Sequence, residues 1–307
     1  MNAAAQLAAF GAALTLLTVG AFAVGAAVGP RAAPAVVSAE PASGPAHADG
    51  HAAPAAASLP SGPASSTDGY TFTPAEPVLA VGVPNDFRFR ITGPDGVPLT
   101  AFDEEHTKRM HLIVVRRDTT GFQHLHPELG PDGTWRVPLT LPSAGSYRAF
   151  ADFTPTGGPP LTLGVDLAAP GDLAPVRHDP ARTAELNGYQ VRLDGELVPG
   201  QPSPLTLTVT RDGAPVSDLQ PYLGAYGHLV ALREGDLAYL HVHPEGGPGD
   251  GRTPAGPQIR FLAEVPSAAV YRLFLDFQHG DTVRTAEFTV PSGDPSHTHA
   301  AGDGGHR

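Results

Sequence analysis

The chain carries one pattern twice, and that repetition limits what it can fold into. Met110 to Glu128 reads MHLIVVRRDTTGFQHLHPE, and Gly227 to Glu245 reads GHLVALREGDLAYLHVHPE. His111, His124, His126 and Pro127 recur 117 residues later as His228, His241, His243 and Pro244, and Asp95-Gly96 recurs at the same offset as Asp212-Gly213. A fixed offset over separated columns marks a duplicated structural unit. Tyr147–Phe153 (YRAFADF) recurs as Tyr271–Phe277 (YRLFLDF) at an offset of 124. The added residues fall in EGGPGDGRTPAGPQ after the second histidine run, where Gly and Pro exclude regular structure. Each copy is therefore about 100 residues, an ordinary size for one domain with one core.

Short apolar runs separated by Pro94-Asp95-Gly96, Pro131-Asp132-Gly133, Arg211-Asp212-Gly213 and Glu234-Gly235 predict strands and turns. Copy one predicts strands near Tyr70–Thr73, Asp86–Thr92, His111–Arg117, Phe122–His126, Thr134–Leu141, Ser146–Phe153 and Leu161–Leu167. Copy two predicts the matching set from Tyr189 to Val290. In YRAFADF, Tyr147, Ala149, Ala151 and Phe153 share one face, and Tyr271, Leu273, Leu275 and Phe277 share the corresponding face; that face reads as core. The expected fold class is all-β: two tandem immunoglobulin-like β-sandwiches after an N-terminal hydrophobic helix and a flexible linker. The expected segments are 1–29 (membrane anchor or signal), 30–68 (disordered Ala/Pro-rich linker), 69–168 (copy one), 169–186 (connector), 187–291 (copy two) and 292–307 (disordered tail with His297, His299 and His306).

Ala3–Val28 is uncharged and long enough to span a bilayer as a helix. It predicts either a single-pass cell-membrane anchor with the domains outside the cytoplasm, or a signal segment cleaved to release them. The 307 residues include no cysteine, which excludes disulfides and thiolate metal sites. A net charge of −12 disfavours nucleic acid as a partner and favours a cation. No Ser/His/Asp order, paired carboxylates or phosphate-binding Gly loop is present, so the chain does not read as an enzyme.

The histidines carry the chemistry. If 111–117 and 122–126 form a hairpin centred on Asp118-Thr119, His111 faces His126, Ile113 faces His124 and Val115 faces Phe122. Copy two then pairs His228 with His243, Val230 with His241 and Leu232 with Tyr239. Period-two alternation puts the three imidazoles of each copy on one side of the sheet, close enough to share an ion. The metal candidates are His111, His124, His126, His228, His241 and His243. Further candidates are His106 and His279, each private to one copy, and the carboxylates Asp152 and Asp276. The apolar residues continuing that face, Ile113 and Val115, are expected to run into the sandwich core. Imidazole donors without thiolate suit copper first, with zinc as the other candidate.

The run from His111 to Asp118 and on through Phe122 to Pro127, with the YRxFxDF strand and the hydrophobic start, resembles YtkA-like domains of exported or membrane-anchored bacterial proteins. The resemblance implies a sandwich fold and a link to copper, and brings no catalytic residues. Two readings stand. In the first, the chain is an extracytoplasmic metal-binding protein that buffers, chaperones or senses copper with a His cluster in each domain, handing it to an unidentified protein. In the second, it is a non-catalytic cell-surface structural or protein-interaction tandem sandwich whose histidines only hold the hairpins.

Overall fold

The computed structural model describes residues 61–293. The helix expected at Ala3–Val28, residues 30–60 of the expected linker and 294–307 of the expected tail lie outside the described residues, whereas 61–68, expected to be disordered linker, is ordered: Ser66–Thr67 is a strand paired with Tyr70–Thr71, and the Gly62 carbonyl accepts from Arg148 at 2.8 Å. No helix among the described residues is long and apolar enough to cross a membrane.

Every regular element described is a strand. Copy one contains β1 (Ser66–Thr67), β2 (Tyr70–Pro74), β3 (Asn85–Thr92), β4 (Phe102–Asp103), β5 (His111–Arg116), β6 (Gln123–Leu125), β7 (Glu128–Leu129), β8 (Thr134–Leu139), β9 (Gly145–Pro155) and β10 (Leu161–Ala169). Copy two contains β11 (Thr183–Leu186), β12 (Tyr189–Asp194), β13 (Pro202–Arg211), β14 (Ala214–Pro215), β15 (His228–Arg233), β16 (Tyr239–Val242), β17 (Gln258–Glu264), β18 (Val270–His279) and β19 (Thr282–Pro291). Each copy is an antiparallel sandwich. In copy one, β1-β2-β3-β8-β7 faces β10-β9-β5-β6; in copy two, β11-β12-β13-β14, with β17 on β13, faces β16-β15-β18-β19. The histidine-bearing sheets thus have the same strand order, and His111 and His228 each open the equivalent strand. The described part of the protein is all-β, built of two immunoglobulin-like sandwiches.

The cores follow the alternation read from the sequence. Tyr147, Ala149, Ala151 and Phe153 pack with Phe72, Phe87, Phe89 and Trp135 in copy one. Tyr271, Leu273, Leu275 and Phe277 pack with Phe261 and Phe288 in copy two. Each copy also fastens its loop with a tyrosine corner: Tyr147 donates its hydroxyl hydrogen to the Ser143 carbonyl, and Tyr271 donates to that of Ser267, both at 2.8 Å.

Two further features depart from the expected organisation. Thr183–Leu186, placed in the connector by the sequence reading, is a strand paired with β12, with Leu186 opposite Tyr189. The turn between them is Asn187-Gly188, with φ of 47° and 82°. Two consecutive left-handed residues are what a tight hairpin turn requires, and Asn-Gly supplies them at least strain. The second departure concerns Ile113 and Val115. They join neither sandwich core but a third apolar cluster with Phe150, Val230, Leu232, Leu237, Tyr239 and Phe274, against which Phe122 packs. Each histidine-bearing sheet is therefore buried on both faces, one in its own core and one against the other copy. Both sandwiches belong to one compact unit.

The connector is tied to copy one by a buried ion pair. Arg116 donates to both carboxylate oxygens of Asp118, at 2.8 and 2.6 Å. Asp118 also accepts the Val176 N–H at 2.8 Å, while its carbonyl accepts from His178 Nε2 at 3.1 Å. Burial opposes ionisation of Asp118, but the bonds from Arg116, Val176 and Thr120 outweigh it and hold the carboxyl below the ordinary range. A carboxyl depressed by folding stabilises fully above its unfolded value of ~3.9, and that contribution fades as pH falls below it. Asp118→Asn should therefore lower stability by about 2 kcal/mol at neutral pH, the scale of a charged hydrogen bond. The deficit should shrink when denaturant melts are repeated below pH 4. A deficit independent of pH would mean that the charge is not what matters there.

Candidate metal centre

The first copy brings its three expected histidines together. Ile113 pairs with His124 and Leu112 with Leu125, so the hairpin register is the one the loop position predicted. His111 enters from β5, His124 from β6, and His126 just beyond it. One nitrogen from each lies within 4.8 Å of the others. Ring-centroid separations are 5.2 Å (His111–His124), 5.1 Å (His111–His126) and 4.8 Å (His124–His126). Imidazoles bound to one ion at ~2.0–2.1 Å have ring centroids about 5 Å and nitrogens about 3.3 Å apart, so the rings stand at a suitable spacing and their nitrogens, within 4.8 Å of one another, would turn inward to share an ion.

The hydrogen bonds fix which nitrogens face inward. His111 Nε2–H donates to the Glu105 carbonyl at 3.1 Å, leaving Nδ1 as an acceptor 3.0 Å from His124 Nε2. His124 Nδ1–H donates across to Asp276 Oδ2 of copy two at 2.8 Å. Asp276 is held in turn by the Thr285 hydroxyl at 2.6 Å. His126 Nε2 is buried with no hydrogen-bond partner. Burial first, and the neighbouring His124, His111, Lys108 and His228 after it, push His126 down to about 2. Its imidazole is therefore held neutral, the form in which histidine binds a metal.

The second copy repeats the scaffold. Val230 pairs with His241 and Leu232 with Tyr239, again the predicted register. His228 Nε2–H donates to the Tyr222 carbonyl at 2.9 Å, reproducing the His111–Glu105 bond 117 residues later. His241 holds the backbone position equivalent to His124. His243 is exposed beside an open cleft of about 750 Å³ lined also by Glu105, Asp152 and Tyr239.

A separate cluster in each domain was the expectation, but the imidazoles of both copies share one region. His106 of copy one lies 4.9 Å from His228 and 5.6 Å from His243, ring centre to ring centre. Ring separations of 6.1 Å (His106–His111) and 6.3 Å (His124–His228) join this group to the triad. The cause is the apolar face just described, which presses the two histidine sheets together. The packing is pseudo-twofold. Phe122 of copy one stacks on Phe274 of copy two at 4.0 Å with rings 5° apart, while Tyr239 of copy two packs on Phe150 of copy one at 5.2 Å. These pairs exchange under the duplication offsets, as in a self-complementary interface.

The remaining candidates separate by strand parity. Asp152 and Asp276 lie on the face shared between the copies. Asp152 accepts from the Tyr239 hydroxyl at 3.1 Å and the Thr162 hydroxyl at 3.0 Å. Asp276 bonds the outer nitrogen of His124, Nδ1, and is not one of the three groups whose ligand atoms cluster. His279 sits an odd number of residues from Asp276 and so projects to the opposite side. There it meets the Tyr189 hydroxyl at 2.8 Å and Asp218 at 3.1 Å. The cross-domain role of Phe122 and Phe274 escaped the sequence reading, although HLIVVR and HLVALR carried a signal. Neither run alternates, and a strand apolar on both sides is buried on both sides.

Fold and site together define a duplicated β-sandwich protein with a histidine cluster on the face where its copies meet. The chain belongs to the family of the domain of unknown function DUF8832, whose model matches residues 65–169 and again 184–293. No curated protein matches the sequence. Among solved structures it is similar to the Escherichia coli adhesin FdeC, at 13% identity and a TM-score of 0.26, with 74% of this chain and 65% of the adhesin covered. It thus spans just under two thirds of that protein. A putative membrane anchored protein from Corynebacterium diphtheriae is 11% identical with a TM-score of 0.22, covering 74% of this chain and 58% of its own. Scores this low carry no functional conclusion.

Proposed function

We propose that this is a non-catalytic, extracytoplasmic metal-binding protein that takes up copper, or zinc in its place, at His111, His124 and His126. One observation carries the reading: three imidazoles at the ring spacing of a shared ion, one with a buried nitrogen lacking any partner. A donor set of imidazole nitrogens without sulfur favours Cu(II) over Zn(II) by the usual order of affinities. The ion would sit between the facing nitrogens of His111 and His124. Their nitrogens need open only by tenths of an ångström from 3.0 Å to suit tetrahedral ligation. Three imidazoles on one ion suit buffering or delivery.

A second reading is favoured by a different observation. The His124–Asp276 bond and the His111–His124 bond close a network across the domain boundary without any ion. On that reading the histidines are structural, and the protein is a surface tandem sandwich. Titration of the full chain with Cu(II) and Zn(II), followed by dialysis and metal analysis, separates the two. Retained copper that is lost from the triad in a His124→Ala/His126→Ala variant is the expected result. A wild-type chain that retains no metal supports the structural reading.

A further inference from the structure

We infer that residues 61–64 form a strap that clasps the two copies together and closes the way to the histidine triad. The access it controls rests on the metal-binding reading above, whereas the clasp itself does not. Strand β10 ends one histidine-bearing sheet and β16 the other, and the backbone groups of a sheet edge need partners. The strap serves both edges. On copy one, the Gly62 N–H donates to the Thr162 carbonyl at 3.2 Å, and the Gly164 N–H donates to the Ala64 carbonyl at 2.9 Å. On copy two, the Tyr239 N–H donates to the Ser61 carbonyl at 3.0 Å.

Two glycines admit the strap. Gly62 is buried with φ of 87°, and a Cβ there would stand 2.6 Å from the Phe150 ring. A Cβ on Gly164 would stand 2.1 Å from the Gly62 carbonyl oxygen. Copy two shows that the sheet itself does not require the second glycine. Gly164 lies opposite Phe150, and the residue opposite the equivalent Phe274 is Glu287. The buried arginines of the two copies differ to match. Arg272 donates to Glu287 at 2.5 Å and to the Thr289 hydroxyl at 2.7 Å, both within copy two. Arg148 pairs with Asp166 at 3.1 Å and turns its other end to the strap, donating to the Gly62 carbonyl at 2.8 Å and to that of Pro63. A buried guanidinium with glycine where its counterpart meets a carboxylate needs oxygens from elsewhere, and the strap supplies them.

The strap borders the approach to the triad. His111 is 3% exposed and the His124 side chain 4%, so an ion reaches them when the surface around them opens. The cleft of about 750 Å³ backs onto that surface. Its lining includes Glu105, whose carbonyl holds His111, and Asp152, which lies opposite His111 in the sheet. Ser61 and Tyr239 line it too, so the bond between them pins one wall of the cleft. Freeing the strap unpins that wall and leaves the edges of both sheets without their shared partner.

Gly164→Glu in the full chain gives copy one the arrangement of copy two: a carboxylate for Arg148 in the place that the Gly62 carbonyl takes. Gly62→Ala attacks the same contact from the strap side. In both variants the amides of Tyr239 and of position 164 should lose hydrogen-exchange protection by about tenfold or more, because a freed strap leaves those donors to water. The amides of β18 should keep theirs, which reports an intact fold. Should Gly164→Glu lower β18 protection as well, Gly62→Ala decides. Cu(II) or Zn(II) bound at the triad, recognised as the ion that His124→Ala/His126→Ala removes, should pass to a chelator about tenfold faster in the variants, with stoichiometry unchanged. Unaltered protection of Tyr239 in both variants overturns the strap. Lost protection with release of the ion at the wild-type rate overturns the control of access and leaves the triad standing. A wild-type chain that takes up no ion defeats the metal reading and the access role with it, while the exchange data still decide the clasp.

Discussion

Phe274→Ala should do more than weaken copy two: it should loosen the two sandwiches from each other. Phe274 is fully buried, yet it lies outside both sandwich cores and stacks on Phe122 of the other copy at 4.0 Å. Its neighbours Ile113, Val115 and Phe150 come from copy one, and Val230, Leu232, Leu237 and Tyr239 from copy two. Truncating a buried phenylalanine costs about 3–5 kcal/mol, from lost transfer energy and the cavity left behind. Here that loss falls on contacts that couple the copies. Calorimetry should therefore resolve two transitions for the variant and a single one for the wild type. Phe277→Ala is the control, since Phe277 is equally buried but packs within the core of copy two. It should lower stability by a similar amount through copy two's own core, with the face between the copies intact. A single, equally sharp transition for Phe274→Ala would mean that the shared face contributes little to the coupling.

The sequence made the hairpins legible because two independent constraints agreed there. The loop around Asp118-Thr119 centred the turn, and alternation decided which residues shared a side. The pairings Ile113–His124 and Val230–His241 followed from those constraints alone. The same logic placed Tyr147 and Tyr271 in the cores. What alternation cannot express is a strand buried on both sides. His111–Arg116 is buried at every position, and the period-two reading therefore assigned Ile113 and Val115 to the wrong apolar layer. The histidines inherit that error. Two separate clusters became one shared face, so Asp276 reached His124 over a sequence distance that no local pattern spans. The Asn187-Gly188 hairpin is a different kind of omission. Its turn signal was strong, but Thr183–Leu186 is exposed to half-buried and lacks the apolar rhythm that marks a strand.

Asp276→Asn should weaken metal binding at a triad to which Asp276 contributes no ligand. Asp276 belongs to copy two, is 3% exposed, and accepts the Nδ1 hydrogen of His124 at 2.8 Å. A carboxylate on the far nitrogen of a histidine fixes the ring's orientation and tautomer and strengthens the near nitrogen as a donor. Removing such a partner typically costs 10–100-fold in affinity. Asparagine keeps the size and can still accept through its oxygen, so the loss isolates charge from packing. The Thr285 hydroxyl on the other carboxylate oxygen retains a partner in the variant, which limits collateral disorder. Competition titrations with a chelator should place Asp276→Asn one to two orders of magnitude below wild type for Cu(II), with stoichiometry unchanged. The paired substitution Asp152→Asn is informative because Asp152 is engaged by the Tyr239 hydroxyl rather than by a triad histidine. It should leave the affinity of the triad nearly unaltered. If Asp276→Asn lowers thermal stability while copper affinity stays at the wild-type value, the carboxylate serves only the contact between the copies. The imidazole network would then be the structural seam of a tandem sandwich.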